Sequence, residues 1–474
     1  MNCLEISSIE FRRVAEEITR LAVHYLDDLD ARRIFPLTQA GQTDALFRRS
    51  TPEEGAGIDS LANLQDVIDH CRAQNGRFFG YVLGSGDPVG AAADLLASVL
   101  NQNVTAWRSS PAAVTLERTV VSWLAEAVGC RSFHGSLTGG GSSANLMALA
   151  IARESKLRAN DRGLIEAGKC TVYASGEVHM SIPKAVALLG IGTSNLQLIS
   201  TNERFQMPPS ELDSAIQHDR TAGKIPIAVV ASAGTVNTGA IDPLPEIAAI
   251  ARRHHVWLHV DGAYGALAAL AGPEKFAGLA LADSISLDPH KWLYQPLDCG
   301  CLLFRDRALA HATFSRTDDY ARSLSTDAIE SFSFFEESIE LSRRFRALRL
   351  WLSVRYHGLR AFRDAIKKDL ALAQRLAQQI ADERDLQLLA PVELSAVCFR
   401  FRGQESIPED ELNRRNAAIL QRVIQRGRVY LSNATLHGKF CLRACIVNHR
   451  STEPDVDCIV PEVLAAAKEV PSST

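Results

Sequence analysis

Residues 256 to 264 read Val256-Trp257-Leu258-His259-Val260-Asp261-Gly262-Ala263-Tyr264, an apolar, β-branched run that leads into an acidic residue. Such a run predicts a buried β-strand with Asp261 at its carboxyl end. Thirty positions after Asp261 comes Lys291, in the segment Ser286-Leu287-Asp288-Pro289-His290-Lys291-Trp292, which follows a second short run of the same kind. Because ligands of open α/β sheets bind outside the carboxyl ends of the strands, we expect Asp261 and Lys291 to share one site.

These two side chains have complementary chemistry. A lysine amine can condense with an aldehyde, and an aspartate at a strand end can keep a pyridine nitrogen protonated. Together they point to pyridoxal 5'-phosphate (PLP) as a covalently held cofactor. Considered singly, each has a structural alternative, with Asp261 as a strand-end cap and Lys291 as a surface amine.

The rest of the chain indicates a layered α/β architecture. From about Pro88 onward, helical stretches alternate with short β-branched runs, which predicts βαβ units and a largely parallel sheet. The predicted strands of this sheet are Cys170 to Ala174, Ile227 to Ser232, Val256 to Val260 and Ser284 to Leu287. We therefore expect a helical N-terminal segment (1–87), a large sheet domain (88–357) and a small C-terminal α+β domain (358–474).

A glycine-rich segment supplies a candidate phosphate site. Thr138-Gly139-Gly140-Gly141-Ser142-Ser143 stands directly before a helical pattern. Backbone amides at a glycine-rich helix N-terminus bind anions, and serine hydroxyls add donors. The alternative is a tight connection with no ligand.

His179 follows the predicted strand Cys170 to Ala174 and so lies near another carboxyl end. An aromatic ring there could stack on a planar pyridine and exchange protons near a reacting carbon. The alternative is a structural histidine. For His254, His255 and His259 we favour the structural alternative, because no matching carboxylate set accompanies them.

Composition narrows the class of partner. The 474 residues carry a net charge of -4 with acids and bases interleaved, which favours a small-molecule ligand over nucleic acid or a membrane surface. No signal peptide or apolar run of membrane-spanning length is visible, so we expect a cytoplasmic protein. The ten cysteines form no paired framework and are expected to be reduced thiols, and we expect no metal at Cys299 and Cys301.

With these motifs in place, the chain resembles the group II PLP-dependent amino acid decarboxylases, the family of aromatic-L-amino-acid and glutamate decarboxylases. The resemblance covers nearly the whole length, and its histidine, aspartate and lysine motifs in this order are highly specific. The matching segments are Glu10-Phe11-Arg12-Arg13 with Tyr25, Trp107 to Ala112, Val178 to Ser181, His259 to Tyr264, Pro289 to Trp292 and Ser342 to Leu348.

The resemblance implies a fold and a set of residue roles. The fold is that of type I, aspartate aminotransferase-like PLP enzymes, and the assembly is a homodimer. Lys291 resembles the lysine that holds the cofactor, Asp261 the partner of the pyridine nitrogen, and His179 the histidine stacked on the ring. The other implied cofactor contacts are Gly141, Ser142, Thr235, Ala263 and His290.

The substrate is less closely specified. Arg443 resembles an arginine that holds a substrate carboxylate, for which a guanidinium fork is suited, although a structural ion pair is the alternative. Tyr81 and Trp107, with Phe78 and Phe79, could line an aromatic pocket or belong to the core. Arg108 replaces a small residue of aromatic-specific relatives and could favour an acidic side chain. We lean towards an aromatic amino acid.

Two departures from the family pattern affect the reaction. Counting back from Arg343, Phe334 occupies the position of a loop tyrosine that donates a proton, and in relatives this replacement accompanies oxygen-dependent conversion to an aldehyde. Asp288 stands where many relatives have asparagine, and a carboxylate beside a phosphate is unfavourable unless it is paired or turned away. We expect decarboxylation of an L-amino acid to its amine. Aldehyde formation, transamination and a non-catalytic PLP-binding homologue are the alternatives.

Overall fold

The structure is a computed structural model that describes residues 4–167, 169–316, 325–403 and 407–470. Two compact units divide the chain. The first combines Met1–Gly80, Phe401–Leu442 and Arg450–Thr474, and the second combines Tyr81–Arg400 and Arg443–His449. The three-part division expected from the sequence stays a prediction.

The second unit is built on a seven-stranded sheet in the order β1-β7-β6-β5-β4-β2-β3. Its strands are β1 (His134–Thr138), β2 (Cys170–Ser175), β3 (Leu196–Ile199), β4 (Ile225–Ser232), β5 (Trp257–Asp261), β6 (Ser284–Leu287) and β7 (Gly300–Phe304). The adjacent strands β3, β2, β4, β5 and β6 run parallel to one another, and β7 runs antiparallel to both β6 and β1. The predicted largely parallel sheet is confirmed.

Helices pack on both faces of this sheet. They are α4 (Pro88–Leu100), α5 (Pro111–Ala127), α6 (Gly141–Leu157), α7 (Ala159–Ala167), α8 (Ser181–Leu188), α9 (Pro209–Thr221), α10 (Leu244–Arg253), α11 (Pro289–Trp292), α12 (Arg307–Phe314) and α13 (Ala347–Asp382). Consecutive residues of β4 alternate between two cores, with Val229 in the cluster that contains α5 and α10 and Val230 in the cluster that contains α6 and α8. Burial on both faces explains why the strands read as continuous apolar runs.

The register of the parallel strands aligns their carboxyl ends. Asp261, the last residue of β5, is paired with Ser232 on β4 and with Ser286 on β6. Because both neighbours also end within a residue or so of this level, the segments that follow them leave the sheet at one edge. This edge carries the candidate site.

The first unit is mainly helical. It contains α1 (Ser8–Asp27), α2 (Ala40–Phe47), α3 (Leu64–His70), α14 (Glu409–Arg426), α15 (Glu453–Asp457) and α16 (Ile459–Glu469). Helix α1 lies in the N-terminal segment that was expected to be helical, and much of its apolar surface is exposed in the single chain, including Ile9 (72%), Phe11 (43%) and Val23 (50%). Phe78 and Phe79 are buried in this unit, where Phe78 stacks on Tyr430.

A second, smaller sheet has the strand order β10-β11-β9-β8. Its strands are β8 (Leu386–Leu388), β9 (Ala396–Phe401), β10 (Ser432–Leu436) and β11 (Lys439–Cys445). Within the described residues, no helix has the length and apolar character needed to cross a bilayer.

Candidate active site

The carboxylate of Asp261 lies at the carboxyl edge of the large sheet and accepts three hydrogen bonds. Its Oδ1 accepts from the Ser286 hydroxyl (3.0 Å) and the Ala263 amide (3.2 Å). Its Oδ2 accepts from the side-chain amide of Asn145 (2.9 Å). The parallel register accounts for the first contact, since it pairs Asp261 with Ser286. All three partners are donors, so this buried carboxylate is held as an acceptor.

The amine of Lys291 belongs to the same edge. Helix α11 begins two residues after β6, and Lys291 Nζ turns back to lie 3.0 Å from Asp288 Oδ2. Asp288 Oδ1 is buried and has no hydrogen-bond partner among the described residues. Asp288, which stands where many relatives have asparagine, is therefore paired through one oxygen, and this pairing offsets part of the cost of burying its charge.

The glycine-rich loop forms the N-terminus of α6 against this edge. Gly140, the residue before the helix, has φ 128°, and no side chain in the described part of the chain caps the helix. A Cβ on Gly141 would lie 2.7 Å from Ala263 Cβ and 3.1 Å from Asp288 Oδ2, so a side chain would not fit there. Ser142 follows in the first turn and is exposed. The first amides of α6 are thus brought beside the Asp288 and Lys291 pair.

His290 completes this corner of the site. Its Nδ1 donates to the Cys299 carbonyl (2.7 Å), because a carbonyl can only accept. Its Nε2 lies 3.6 Å from Asp288 Oδ2, and burial lowers the pKa of the ring. A Cβ added to Gly140 would lie 3.6 Å from His290 Cε1, so the His290 ring lies next to the glycine-rich loop.

His179 approaches from the loop after β2. Its Nδ1 is 2.8 Å from the Ser181 hydroxyl, which is itself 2.9 Å from the Asn145 amide. Burial lowers the pKa of His179, against the opposing effect of the Asp261 charge. A neutral, half-buried imidazole therefore stands two hydrogen-bonded side chains away from Asp261.

The hydroxyl of Thr235 forms hydrogen bonds within the turn that contains it. Thr235 is buried after β4, where its Oγ1 accepts from the Ala240 amide (3.1 Å) and lies 2.9 Å from Thr238 Oγ1. Its predicted contact with the cofactor stays a prediction.

The guanidinium of Arg443 binds three backbone carbonyls. This group, which is buried, donates to the carbonyls of Asn237 (2.9 Å), Tyr81 (3.2 Å) and Val236 (2.5 Å). Tyr81 is half exposed and has φ 61°, an uncommon conformation for a residue with a side chain. Arg443 thus fixes the segment that presents Tyr81, and its role as a ligand of a substrate carboxylate stays a prediction.

The structure joins Trp107 to the segment that contains Phe334. The Trp107 amide donates to the Phe332 carbonyl (3.0 Å), and the Phe334 amide donates to the Thr105 carbonyl (2.8 Å). Phe334 is fully buried, with the guanidinium carbon of Arg343 4.3 Å from its ring centroid. Arg108 is exposed.

Two residues that hold the carboxylate of Asp261 were not identified from the sequence. Asn145 contacts Asp261 through one end of its amide and His259 through the other (2.8 Å), and Ser286 holds the second oxygen of Asp261. The sequence signal for Asn145 was its spacing, because a residue four positions after Gly141 lies on the same face of a helix. His259, which we assigned a structural part, belongs to this buried network.

The burial of His259 predicts that the protein loses stability in acid. Burial lowers the pKa of His259 to about 4 from an ordinary value of 6.5. As the pH falls between these values, the unfolded chain takes up a proton that the folded site rejects, so the free energy of unfolding decreases, by roughly 3 kcal/mol at pH 4. Urea unfolding between pH 4 and pH 8 measures this, and His259→Gln should remove this component. An unchanged pH slope in the variant would contradict the assignment.

These residues fit PLP. The uncapped N-terminus of α6 suits a phosphate, Lys291 provides an amine, and Asp261 provides a buried acceptor for a ring nitrogen. Asp288 Oδ2 lies 3.0 Å from Lys291 Nζ and would be 3.1 Å from a Cβ on Gly141, so the first two of these features lie side by side.

Comparison with known proteins gives the same class. Residues 43–402 match the family model described as "Pyridoxal-dependent decarboxylase conserved domain". An aromatic-L-amino-acid decarboxylase of Bacillus atrophaeus is 36% identical, over 98% of this chain and 97% of the relative. A phenylacetaldehyde synthase of Petunia hybrida is 30% identical, over 94% and 92%. The crystal structure of Oryza sativa TDC with PLP and tryptamine superposes with a TM-score of 0.92 at 26% identity, covering 99% of each chain.

The chain belongs to the pyridoxal-dependent decarboxylase family. It is a PLP-dependent carboxy-lyase that decarboxylates an L-amino acid, as its motifs predicted. The predicted type I fold, with a large, mostly parallel sheet and a smaller second sheet, is confirmed.

Proposed function

We propose that this decarboxylase acts on an aromatic L-amino acid and releases the corresponding amine, with Lys291, Asp261 and His179 as its catalytic residues. The observation that carries the assignment of the site is the convergence of the Lys291 amine, the Asp261 carboxylate and the N-terminus of α6 on one sheet edge. The aromatic substrate is supported by the names of the relatives, which include aromatic-L-amino-acid, tyrosine and tryptophan decarboxylases.

Lys291 and Asp288 act as a pair in this proposal. Lys291 would hold the cofactor covalently through its amine. Asp288, 3.0 Å from Nζ, would stabilise this amine in its protonated form and keep it near the reacting atoms. Gly141, Ser142 and His290 bind the phosphate, the first two through the N-terminus of α6.

Asp261 supplies the fixed negative charge of the site. PLP, when bound, provides an electron sink for the pair left on the α-carbon as carbon dioxide departs. Asp261 would accept a hydrogen bond from the protonated ring nitrogen, since its three donors hold its oxygens in place. Ala263 and Thr235 would lie beside the cofactor at this edge.

His179 is the residue placed to stack on the ring and to hold a proton near the α-carbon. Its Nδ1 accepts from the Ser181 backbone amide (3.3 Å), so its exchangeable proton lies on Nε2. Tyr81 and Trp107 are proposed to contact the aromatic side chain. Arg443 is proposed to orient the carboxylate, in addition to its observed backbone contacts.

The function is tested by incubating the purified holoenzyme with phenylalanine, tyrosine, tryptophan and glutamate. We expect amine and carbon dioxide in equal amounts, with the aromatic substrates favoured over glutamate. A keto acid formed in stoichiometric amounts would indicate transamination instead. Cofactor binding with no turnover of any amino acid would indicate a non-catalytic homologue.

Aldehyde formation is the second candidate, and Phe334 is the observation that favours it. In that reaction one molecule each of oxygen and water is consumed, and the amino acid yields aldehyde, carbon dioxide, ammonia and hydrogen peroxide. Three of the relatives are named as aldehyde synthases, the phenylacetaldehyde synthases of Petunia hybrida and a Rosa hybrid cultivar and the 4-hydroxyphenylacetaldehyde synthase of Rhodiola rosea.

Phe334→Tyr distinguishes the two products. Because Phe334 is fully buried beneath Arg343, we expect the wild-type enzyme to release amine and the variant to keep the same ratio of amine to aldehyde. Phe335→Tyr, one position along the same buried segment, is the matched control. Aldehyde and peroxide from the wild type, converted to amine by Phe334→Tyr alone, would establish the second candidate.

We also propose a homodimer in the cytoplasm. The exposed apolar residues of α1 are a surface that a second copy of this chain would cover, and the N-terminal segment is the proposed dimerisation element. Sedimentation at several protein concentrations tests this, and a monomer throughout would contradict it. The cytoplasmic location is supported by the burial of seven of the nine described cysteines, which suits thiols that stay reduced.

A further inference from the structure

A chain of hydrogen bonds runs beneath the candidate site and ends at Asp261. Trp257 Nε1 donates to Ser284 Oγ (2.9 Å), which lies 2.9 Å from His259 Nδ1. His259 Nε2 is 2.8 Å from Asn145 Oδ1, and Asn145 Nδ2 donates to Asp261 Oδ2 (2.9 Å). Every member of this chain is buried.

The direction of each bond follows from the two ends. An indole N–H can only donate, so Ser284 accepts from Trp257 and has its own hydrogen left to give to His259 Nδ1. A carboxylate accepts, so Asn145 turns its NH₂ group to Asp261 and its carbonyl oxygen to His259. His259 must then carry its single proton on Nε2, which agrees with the low pKa that burial imposes on it.

A branch extends the same order to His179. The second hydrogen of the Asn145 amide points to Ser181 Oγ (2.9 Å), and Ser181 then donates to His179 Nδ1 (2.8 Å). His179 is therefore left with its proton on Nε2. The side-chain amide of Asn145 thus donates to Asp261 and, through Ser181, determines which nitrogen of His179 carries the proton.

We infer that Asn145 and His259 are positioning residues, which hold Asp261 as an ionised acceptor for a pyridinium N–H and fix the proton of His179 on Nε2. The inference rests on the proposed roles of Asp261 and His179. If the side-chain amide of Asn145 were rotated by 180°, its oxygen would face the Asp261 carboxylate and its NH₂ group would face His259 Nε2–H. Both contacts would be unfavourable, so the proton on His259 Nε2 fixes the amide orientation that donates to Asp261. A purely structural network would instead serve to join β5 to α6.

The test compares the affinity for PLP with that for an analogue in which carbon replaces the ring nitrogen. Both compounds keep the aldehyde and the phosphate, so contributions of Lys291 and the glycine loop cancel in the ratio. For Asn145→Leu we expect PLP binding to weaken roughly 10- to 100-fold, the usual effect of losing a hydrogen bond to a charged group. Binding of the analogue should change by less than about 3-fold, because it cannot use the charge of Asp261.

Three further variants keep the test decisive if Asn145→Leu folds poorly. Asn145→Asp keeps the shape but sets two carboxylates together, so PLP affinity should fall as the pH rises and the shared proton is lost. His259→Gln retains a donor near Nε2 and should bind PLP within about 3-fold of wild type, whereas His259→Phe should show the selective loss.

Equal losses for PLP and the analogue would show a structural role and overturn the inference, as would wild-type affinity for both compounds in Asn145→Leu. The affinity ratio requires no turnover. A protein that decarboxylated no amino acid would therefore contradict the proposed function while leaving this result intact.

Discussion

Replacing Lys291 by alanine is expected to lower kcat by at least roughly 10³-fold, because the proposed covalent attachment and the proton transfers that a lysine amine can perform are lost together. The visible absorbance of the covalently bound cofactor should also disappear. The change removes the partner of Asp288, whose Oδ1 already has no hydrogen-bond partner among the described residues, so the carboxylate would be left buried and unpaired. We therefore expect a lower melting temperature as well.

Lys275→Ala is the matched control for this prediction. Lys275 also makes a defined contact, to the Glu393 carbonyl (3.0 Å), but on the exposed surface. Its replacement should leave absorbance and kcat unchanged. Persistence of the absorbance in Lys291→Ala would show that another amine holds the cofactor, and the assignment would fail.

Replacing Asp261 by asparagine is expected to lower kcat by roughly 10²- to 10³-fold, the range seen when a preorganised electrostatic contact is removed from an active site. The variant keeps the shape of the side chain and can still accept from Ser286 and Ala263 at one oxygen. Its new NH₂ group, however, would face the NH₂ group of Asn145. Both the charge and the order of the buried network are lost.

Asp242→Asn controls for placing an amide at a buried sheet edge. Asp242 is also buried and accepts from the Met207 and Ser232 amides at 2.7 Å each. We expect this variant to lose stability but to keep its kcat, measured on the folded holoenzyme. Comparable loss of kcat in both variants would mean that Asp261 contributes to the fold and not to the reaction.

Predictions from the sequence succeeded where a residue type and its position on a strand were sufficient. The strand from Ser284 to Leu287 was predicted with the bounds observed, and that at Val256 was displaced by one residue. The structure also brings Asp261 and Lys291 to one sheet edge, as expected because parallel strands bring their carboxyl ends together, and the roles of the two residues towards PLP stay predictions.

Residues whose importance depends on a partner distant in sequence were not found. Asn145 is 116 positions from Asp261 and 114 from His259, and although its spacing from Gly141 places both on one helix face, no neighbouring residue indicates these two partners. Arg443 shows the reverse case. A guanidinium suits a carboxylate, but the folded chain also offers it three backbone carbonyls.

The fold class and the cofactor could be predicted from the sequence, together with candidate residues for binding that cofactor, because strand periodicity and functional-group chemistry are local properties. The tertiary structure alone decided the partners of those residues. It paired Asp288 with Lys291, and it placed the amide of Asn145 between Asp261 and His259. Hydrogen bonds and ion pairs act over about 3 Å, so their pattern exists only once β5, β6 and α6 have packed together.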